Sequence, residues 1–218
     1  METEVCGKLT LRPIIIDLGI GNIASLVNAF RFIGVEAAIG NSAEDIQSAS
    51  HLVLPGVGAF DPAMHMIDQL NIRNVIRKEV LEREKPIIGI CLGMQLLFQS
   101  SEEGTCEGLG LAAGRLERLS ADGNKPIKVP HAGFSHTQID KNANFFADLK
   151  DTESFYFTHS YAVRSDPATL PAAICDYGFP FVAAFQVKNI FGAQFHPEKS
   201  QSAGLRCLIN FLKHGTNK

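Results

Sequence analysis

One repeated unit constrains this chain most: a short unbroken apolar run, stopped by glycine, then residues with helical spacing. Pro13-Ile14-Ile15-Ile16-Asp17 ends before Gly19 and Gly21. His51-Leu52-Val53-Leu54 ends in Pro55-Gly56-Val57-Gly58, and the run from Pro86 to Ile90 ends in Cys91-Leu92-Gly93. Runs that are apolar at every position suit strands covered on both faces, which is the condition of a parallel sheet. Between them, Ile23, Leu26, Val27, Phe30 and Ile33 share one helical side, with Gly34 as the stop. Glu36 to Ile39 predicts a short strand. Asp61 predicts a helix N-cap with Pro62 at the first helical position, and the helix continues in two pieces to about Glu84. Leu92 to Gln99 predicts the next helix. Such alternation implies parallel strands joined by right-handed crossovers.

The second half reads differently. Leu111 to Leu119, Ile127 to Pro130, Phe155 to Thr158, Ala172 to Cys175, Val182 to Gln186 and Ile190 to Phe195 predict short strands. A last helix runs from about Ser202 to His214. The expected fold is one α/β domain over residues 13–214, after an extension at residues 1–12. Its sheet is open, mostly parallel and flanked by helices, with a β-rich second half.

A chain of 218 residues buries a full core without a metal or disulfides. Its net charge of -3 and lack of a basic stripe argue against nucleic acid and membrane surfaces as partners. Met1 to Arg12 lacks the apolar run of a signal peptide, and Ile87 to Phe98 is too short to span a bilayer. A cytoplasmic location is expected. The five cysteines, Cys6, Cys91, Cys106, Cys175 and Cys207, form no Cys-x-x-Cys pair. No metal site, cofactor or disulfide framework is expected, only free thiols, one of them reactive.

Cys91 is that candidate. Gly89-Ile90-Cys91-Leu92-Gly93 joins a buried strand directly to a helix, and its glycines allow a sharp turn that presents the central side chain at the C-terminal edge of the sheet. A helix N-terminus favours the thiolate, the reactive form. Taken alone, the motif fits a buried structural cysteine equally well. A thiol nucleophile needs a base, and the base needs an orienting group. Gln194-Phe195-His196-Pro197-Glu198 offers both, since residues two apart in extended backbone project to one face. Attack on an amide also needs preset donors for the developing oxyanion. The backbone N–H of Leu92 is one candidate, and Gly58, then Val57, is the other.

Three segments together resemble the class I, triad-type glutamine amidotransferases: Leu54-Pro55-Gly56-Val57-Gly58-Ala59-Phe60, Gly89-Ile90-Cys91-Leu92-Gly93-Met94-Gln95 and Phe195-His196-Pro197-Glu198-Lys199-Ser200. The similarity is greatest to the glutaminase subunits of imidazole glycerol phosphate synthase, and it runs from about residue 13 to residue 213. Asp17 to Asn22 and Phe155 to Tyr161 share it. The resemblance implies a Cys91-His196-Glu198 triad acting on L-glutamine, with Gln95, His159 and Ser160 holding the substrate. It also implies a (β/α)8-barrel cyclase as partner in a heterodimer of histidine biosynthesis. Asn22, Phe134 and Lys199 are the expected partner-facing residues. One segment departs from the family's Pro-His-x-Gly-Trp-Asn pattern: here it is Pro130-His131-Ala132-Gly133-Phe134-Ser135. That loop is expected near the partner, so a related glutaminase serving another synthase stays open. A cysteine peptidase or esterase on a similar elbow is the alternative of a different class. The order His196 then Glu198 runs against the α/β-hydrolase arrangement, in which the acid precedes the histidine. A non-catalytic scaffold predicts lost triad residues, and none is lost.

Overall fold

The apolar runs become the centre of a nine-stranded sheet. A computed structural model of the chain describes residues 11–120, 126–164 and 172–215. The first half supplies β1 (Pro13–Ile16), α1 (Ile23–Phe32), β2 (Ala38–Gly40), α2 (Ala43–Ser48), β3 (His51–Gly56), α3 (Phe60–Gln69), α4 (Arg73–Leu81), β4 (Ile87–Cys91) and α5 (Leu92–Leu97). The second half supplies β5 (Ser100–Ser101), β6 (Arg115–Arg118), β7 (His131–Gln138), β8 (Thr152–His159), β9 (Tyr161–Ala162), β10 (Ala172–Asp176), β11 (Pro180–Val187), β12 (Ile190–Ala193) and α6 (Gln201–Leu212). The strand order is β2-β1-β3-β4-β12-β11-β10-β7-β8, and β5, β6 and β9 form a small second sheet. From β2 to β12 every neighbouring pair is parallel, and from β12 to β8 every pair is antiparallel.

The insertion of β12 beside β4 positions the site. Ala193 pairs with Ile90 on one side of β4, while Gly56 pairs with Cys91 on the other. The chain therefore leaves the sheet at one edge in three neighbouring places: after Gly56, at Cys91 and after Ala193.

Both faces of the parallel strands β1, β3 and β4 are covered. Ile15, Val53 and Ile88 face a cluster that includes Phe30, Phe155, Phe191 and Phe211. Ile14, Ile16, Leu52 and Ile87 face a second cluster with Met64, Ile76 and Phe98. Alternate residues of one strand thus feed opposite layers, and each such side chain contributes roughly 1.5–3 kcal/mol on burial. Among the described residues no helix is long and apolar enough to cross a membrane.

Several local expectations change. Ala59, not Asp61, caps α3. The carboxylate of Glu103 accepts the Phe60 N–H at 2.9 Å from a distant loop, while Asp61 turns outward to accept from the backbones of Thr105 and Cys106. The strand expected at Ile127 to Pro130 is absent. The strand forms at β7 instead, so the segment expected as a loop, Gly133-Phe134-Ser135, is extended and paired with β8 throughout. Its inward positions include His131 and Thr137, both buried, so polar residues hide the alternation. Leu111 to Leu119 yields only the four residues of β6, and Phe195 lies beyond β12. The helix α2, which Ser42 and Asp45 start with a capping box, was not among the expected elements.

Candidate active site

Cys91 sits where β4 becomes α5, with φ 54° and ψ -112°. A non-glycine residue in that region is strained by about 1–3 kcal/mol and persists only where its surroundings enforce it. The flanking glycines do so by close approach. A Cβ on Gly93 would lie 1.7 Å from the Leu54 carbonyl oxygen, and one on Gly89 would lie 2.5 Å from the Gly93 carbonyl oxygen. Bare α-carbons let α5 seat directly on β3 and β4.

His196 follows β12 and is held by its own backbone. Its N–H donates to the Tyr156 carbonyl at 2.9 Å, and its carbonyl accepts from the Ser200 hydroxyl at 2.7 Å. Ser200 in turn accepts the Tyr156 N–H at 3.0 Å, closing a brace between β8 and the His196 segment. Nδ1 of His196 lies 2.8 Å from Glu198 Oε1, both side chains being buried. Nε2 of His196 is buried and makes no hydrogen bond among the described residues. Burial opposes charge on this imidazole. The Cys91 sulfur and the Glu198 carboxylate outweigh it and raise the pKa to about 9.

Cys91 opens onto a cavity of about 320 Å³ that Val57, Gly58, Leu92, Gln95, Glu103, His159 and Ser160 also line. The expected oxyanion donors Val57, Gly58 and Leu92 thus line the same cavity as Cys91, with Gly58 at φ 109°. A larger hollow of about 810 Å³, lined by Ser50, Lys85, Pro86 and Asn189, opens at the opposite edge of the strands. It contains no cysteine, whereas the smaller cavity contains Cys91.

Two expected substrate contacts are already engaged. Gln95 donates through Nε2 to the Tyr161 carbonyl and to Gln194 Oε1, each at 3.0 Å, which leaves its Oε1 to face a ligand. His159 uses both ring nitrogens inside the fold, toward Tyr161 and His131. Its imidazole offers a ligand an edge rather than a polar atom. Ser160 accepts the Leu119 N–H on its carbonyl. Of the partner-facing candidates, Asn22 caps α1 by accepting from the Ser25 N–H at 3.3 Å. Phe134, 51% exposed, meets the Tyr156 ring edge-on at 5.5 Å, and Lys199 Nζ lies over the same ring at 5.5 Å. Tyr156 also approaches the His196 ring at 6.5 Å, so this exposed patch lies directly behind the imidazole.

The model of the family described as glutamine amidotransferase class-I matches residues 14–214. The chain belongs to the class I glutamine amidotransferases. Among curated relatives, imidazole glycerol phosphate synthase subunit HisH 1 of Campylobacter jejuni strain RM1221 is 40% identical, covering 91% of this chain and 98% of the relative. Subunit HisH 2 of Vibrio vulnificus strain YJ016 is 43% identical, covering 93% and 94%. Subunit HisH of Aquifex aeolicus is 39% identical, covering 93% and 97%. A crystal structure of a glutamine amidotransferase shares the fold at TM-score 0.70 and 16% identity, covering 94% of this chain and 99% of that one. A glutamine amidotransferase from Thermotoga maritima does so at TM-score 0.60 and 16% identity, covering 95% and 98%.

Three residues of this amidotransferase site were not foreseen from the sequence. Glu103 brings a carboxylate to the cavity from a loop twelve residues past Cys91. Gln194 points its amide nitrogen at the Cys91 sulfur, 3.8 Å away. Ser200 braces His196. Gln194 and Ser200 stand within the recognisable His196 motif and were legible as polar residues at an apolar strand end. Glu103 carried no local signal.

Proposed function

We propose that this chain hydrolyses L-glutamine to glutamate and ammonia through a Cys91 thioester, and that the ammonia feeds a (β/α)8-barrel cyclase subunit of imidazole glycerol phosphate synthase in histidine biosynthesis. The carrying observation is a buried His196–Glu198 pair whose imidazole interacts with the strained Cys91, which itself opens onto a cavity of about 320 Å³.

The chemistry follows from that arrangement. The Cys91 sulfur attacks the side-chain amide carbon, and the C=O electrons move to oxygen. Leu92 N–H, with Gly58 or Val57, stabilises that oxyanion. His196, protonated while the sulfur beside it carries charge, gives its proton to the leaving nitrogen, and ammonia departs. The thioester removes the sulfur's charge, so the support that raised the His196 pKa weakens. Neutral His196 then takes a proton from water, the hydroxide attacks the thioester, and glutamate leaves with the thiol restored. Glu198 holds Nδ1 and stabilises the cation. Glu103 uses one oxygen to hold the Phe60 N–H and turns the carboxylate toward the cavity, where it pairs with the substrate ammonium. Gln95 Oε1 and the Ser160 segment complete the polar lining.

The partner is expected over the C-terminal edge of the parallel strands, against Asn22, Phe134, Tyr156 and Lys199. The test is glutamate release by the purified chain, alone and with the source organism's cyclase. Turnover that rises with the cyclase and vanishes in Cys91→Ala supports the reading. Turnover that survives Cys91→Ala overturns the mechanism, and turnover without cyclase binding transfers the chain to another synthase.

A further inference from the structure

The polar groups between β7 and Cys91 form one continuous line with a fixed direction. The Tyr161 carbonyl sets that direction, because a carbonyl only accepts. It takes a hydrogen from His159 Nδ1 at 2.9 Å, so His159 Nε2 is bare and must accept from His131 Nδ1 at 3.2 Å. His131 Nε2 is then bare in turn and accepts from the Ser135 hydroxyl at 2.7 Å. On the other side the same carbonyl takes a hydrogen from Gln95 Nε2, whose second hydrogen goes to Gln194 Oε1. That fixes the Gln194 amide with its nitrogen toward Cys91 Sγ, 3.8 Å away. His131 and His159 are 2% and 6% exposed, and Gln95 and Gln194 are 5% and 1% exposed. Water therefore does not substitute readily for any link.

We infer that Gln194 is a positioning residue for the nucleophile, and that Ser135, through His131, His159, the Tyr161 carbonyl and Gln95, holds its amide donor on the Cys91 sulfur. The inference deepens the proposed glutaminase reading and rests on Cys91 being the nucleophile of that site. The Gln194 N–H stabilises negative charge on sulfur without consuming the His196 proton. Ser135 stands on β7 next to exposed Phe134. Low pH is resisted because burial keeps both imidazoles neutral, with pKa values pushed down to about 4 for His131 and about 3 for His159. The titratable groups that line the cavity with Cys91 are Glu103, His159 and Tyr161, with His131 behind His159, and His196 interacts with the sulfur with Glu198 behind it.

The test reads Cys91 without needing glutamine turnover: the rate of alkylation of the full chain by iodoacetamide between pH 5 and 10, with peptide mapping to isolate the Cys91 adduct. Gln194→Met keeps the volume and removes the donor. It is expected to slow Cys91 alkylation about tenfold at pH 7 and to move the profile about one pH unit upward, as loss of a hydrogen bond to a charged group does. Ser135→Ala, remote from the sulfur, is expected to move the profile the same way by about two- to threefold, and Ser135→Thr, which keeps the hydroxyl, to restore it. Thermal unfolding of each variant separates this from misfolding. A Ser135→Ala profile superimposable on the parent overturns the relay even where Gln194→Met responds. A Gln194→Met profile superimposable on the parent overturns the role of Gln194. Failure of the glutaminase reading appears elsewhere, as glutamine turnover by Cys91→Ala.

Discussion

Gly93→Ala sets two physical effects of opposite sign against each other. In a helix, alanine is favoured over glycine by roughly 1 kcal/mol, so propensity alone predicts a more stable protein. The structure predicts the reverse. The added Cβ would stand 1.7 Å from the Leu54 carbonyl oxygen, where real contacts do not fall below 3.0 Å, so α5 must lift from β3 by at least the difference, 1.3 Å. The atoms in the way are backbone atoms of a buried strand, and no side chain can swing aside. Overpacking of this kind costs about 1–3 kcal/mol. In a domain of this length that is a fall of roughly 2–12 °C in Tm. The lifted residue is two positions past Cys91, and a displacement of about 1 Å at a reacting group costs on the order of 100-fold in rate. Thermal unfolding and glutamate release on one preparation measure both. An unchanged or raised Tm with full turnover would refute the claim that close seating of α5 on Leu54 forms the elbow.

The other predictions concern charge. Because His196 is raised to about 9, it holds its proton below that pH, and glutamine turnover is expected to fall as pH rises through about 9. Glu198→Gln removes one source of the upward shift and should move that limb to lower pH, and an identical limb in the variant would make Glu198 a bystander. Glu103→Gln removes the charge proposed to meet the substrate ammonium and should lower kcat/KM by about 10–100-fold, mostly through KM. A parent-like KM would assign Glu103 to the Phe60 N–H alone. His159 and His131 are neutral in the fold while their unfolded values lie near 6.5. The unfolded chain therefore binds the extra protons, so their contribution is complete above pH 6.5 and is lost as pH falls toward about 4 and about 3. For His159 the slope is about 1.4 kcal/mol per pH unit. Thermal midpoints that stay level from pH 7 to pH 5 would contradict this.

The parallel half of the sheet was legible because its strands are apolar at every position and end in glycine. Ile14, Leu52 and Ile88 report double-sided burial without any knowledge of neighbours. The strand β7 was not legible. Its buried residues are polar ones, His131 and Thr137, and what satisfies His131 comes from His159, 28 residues away, and Ser135. Pairwise side-chain partners are invisible to a periodicity argument. The same reason hid the start of α3: Asp61 has the chemistry of a cap, but the N–H that needed one is satisfied by Glu103, 43 residues away. At the candidate site, the His196–Glu198 contact was legible because the two residues stand two apart. Glu103 and Gln194 come near Cys91 only when separate segments meet, which local spacing does not report.

The central claim is that Cys91 attacks the side-chain amide of glutamine. It is tested most directly by reacting the chain, with and without the cyclase, with a glutamine-shaped diazoketone and locating the adduct by mass spectrometry. A single adduct on Cys91, blocked by glutamine and absent from Cys91→Ala, is the predicted result. Label on Cys106, Cys175 or Cys207, or glutamate release that continues after Cys91 is fully modified, would contradict it.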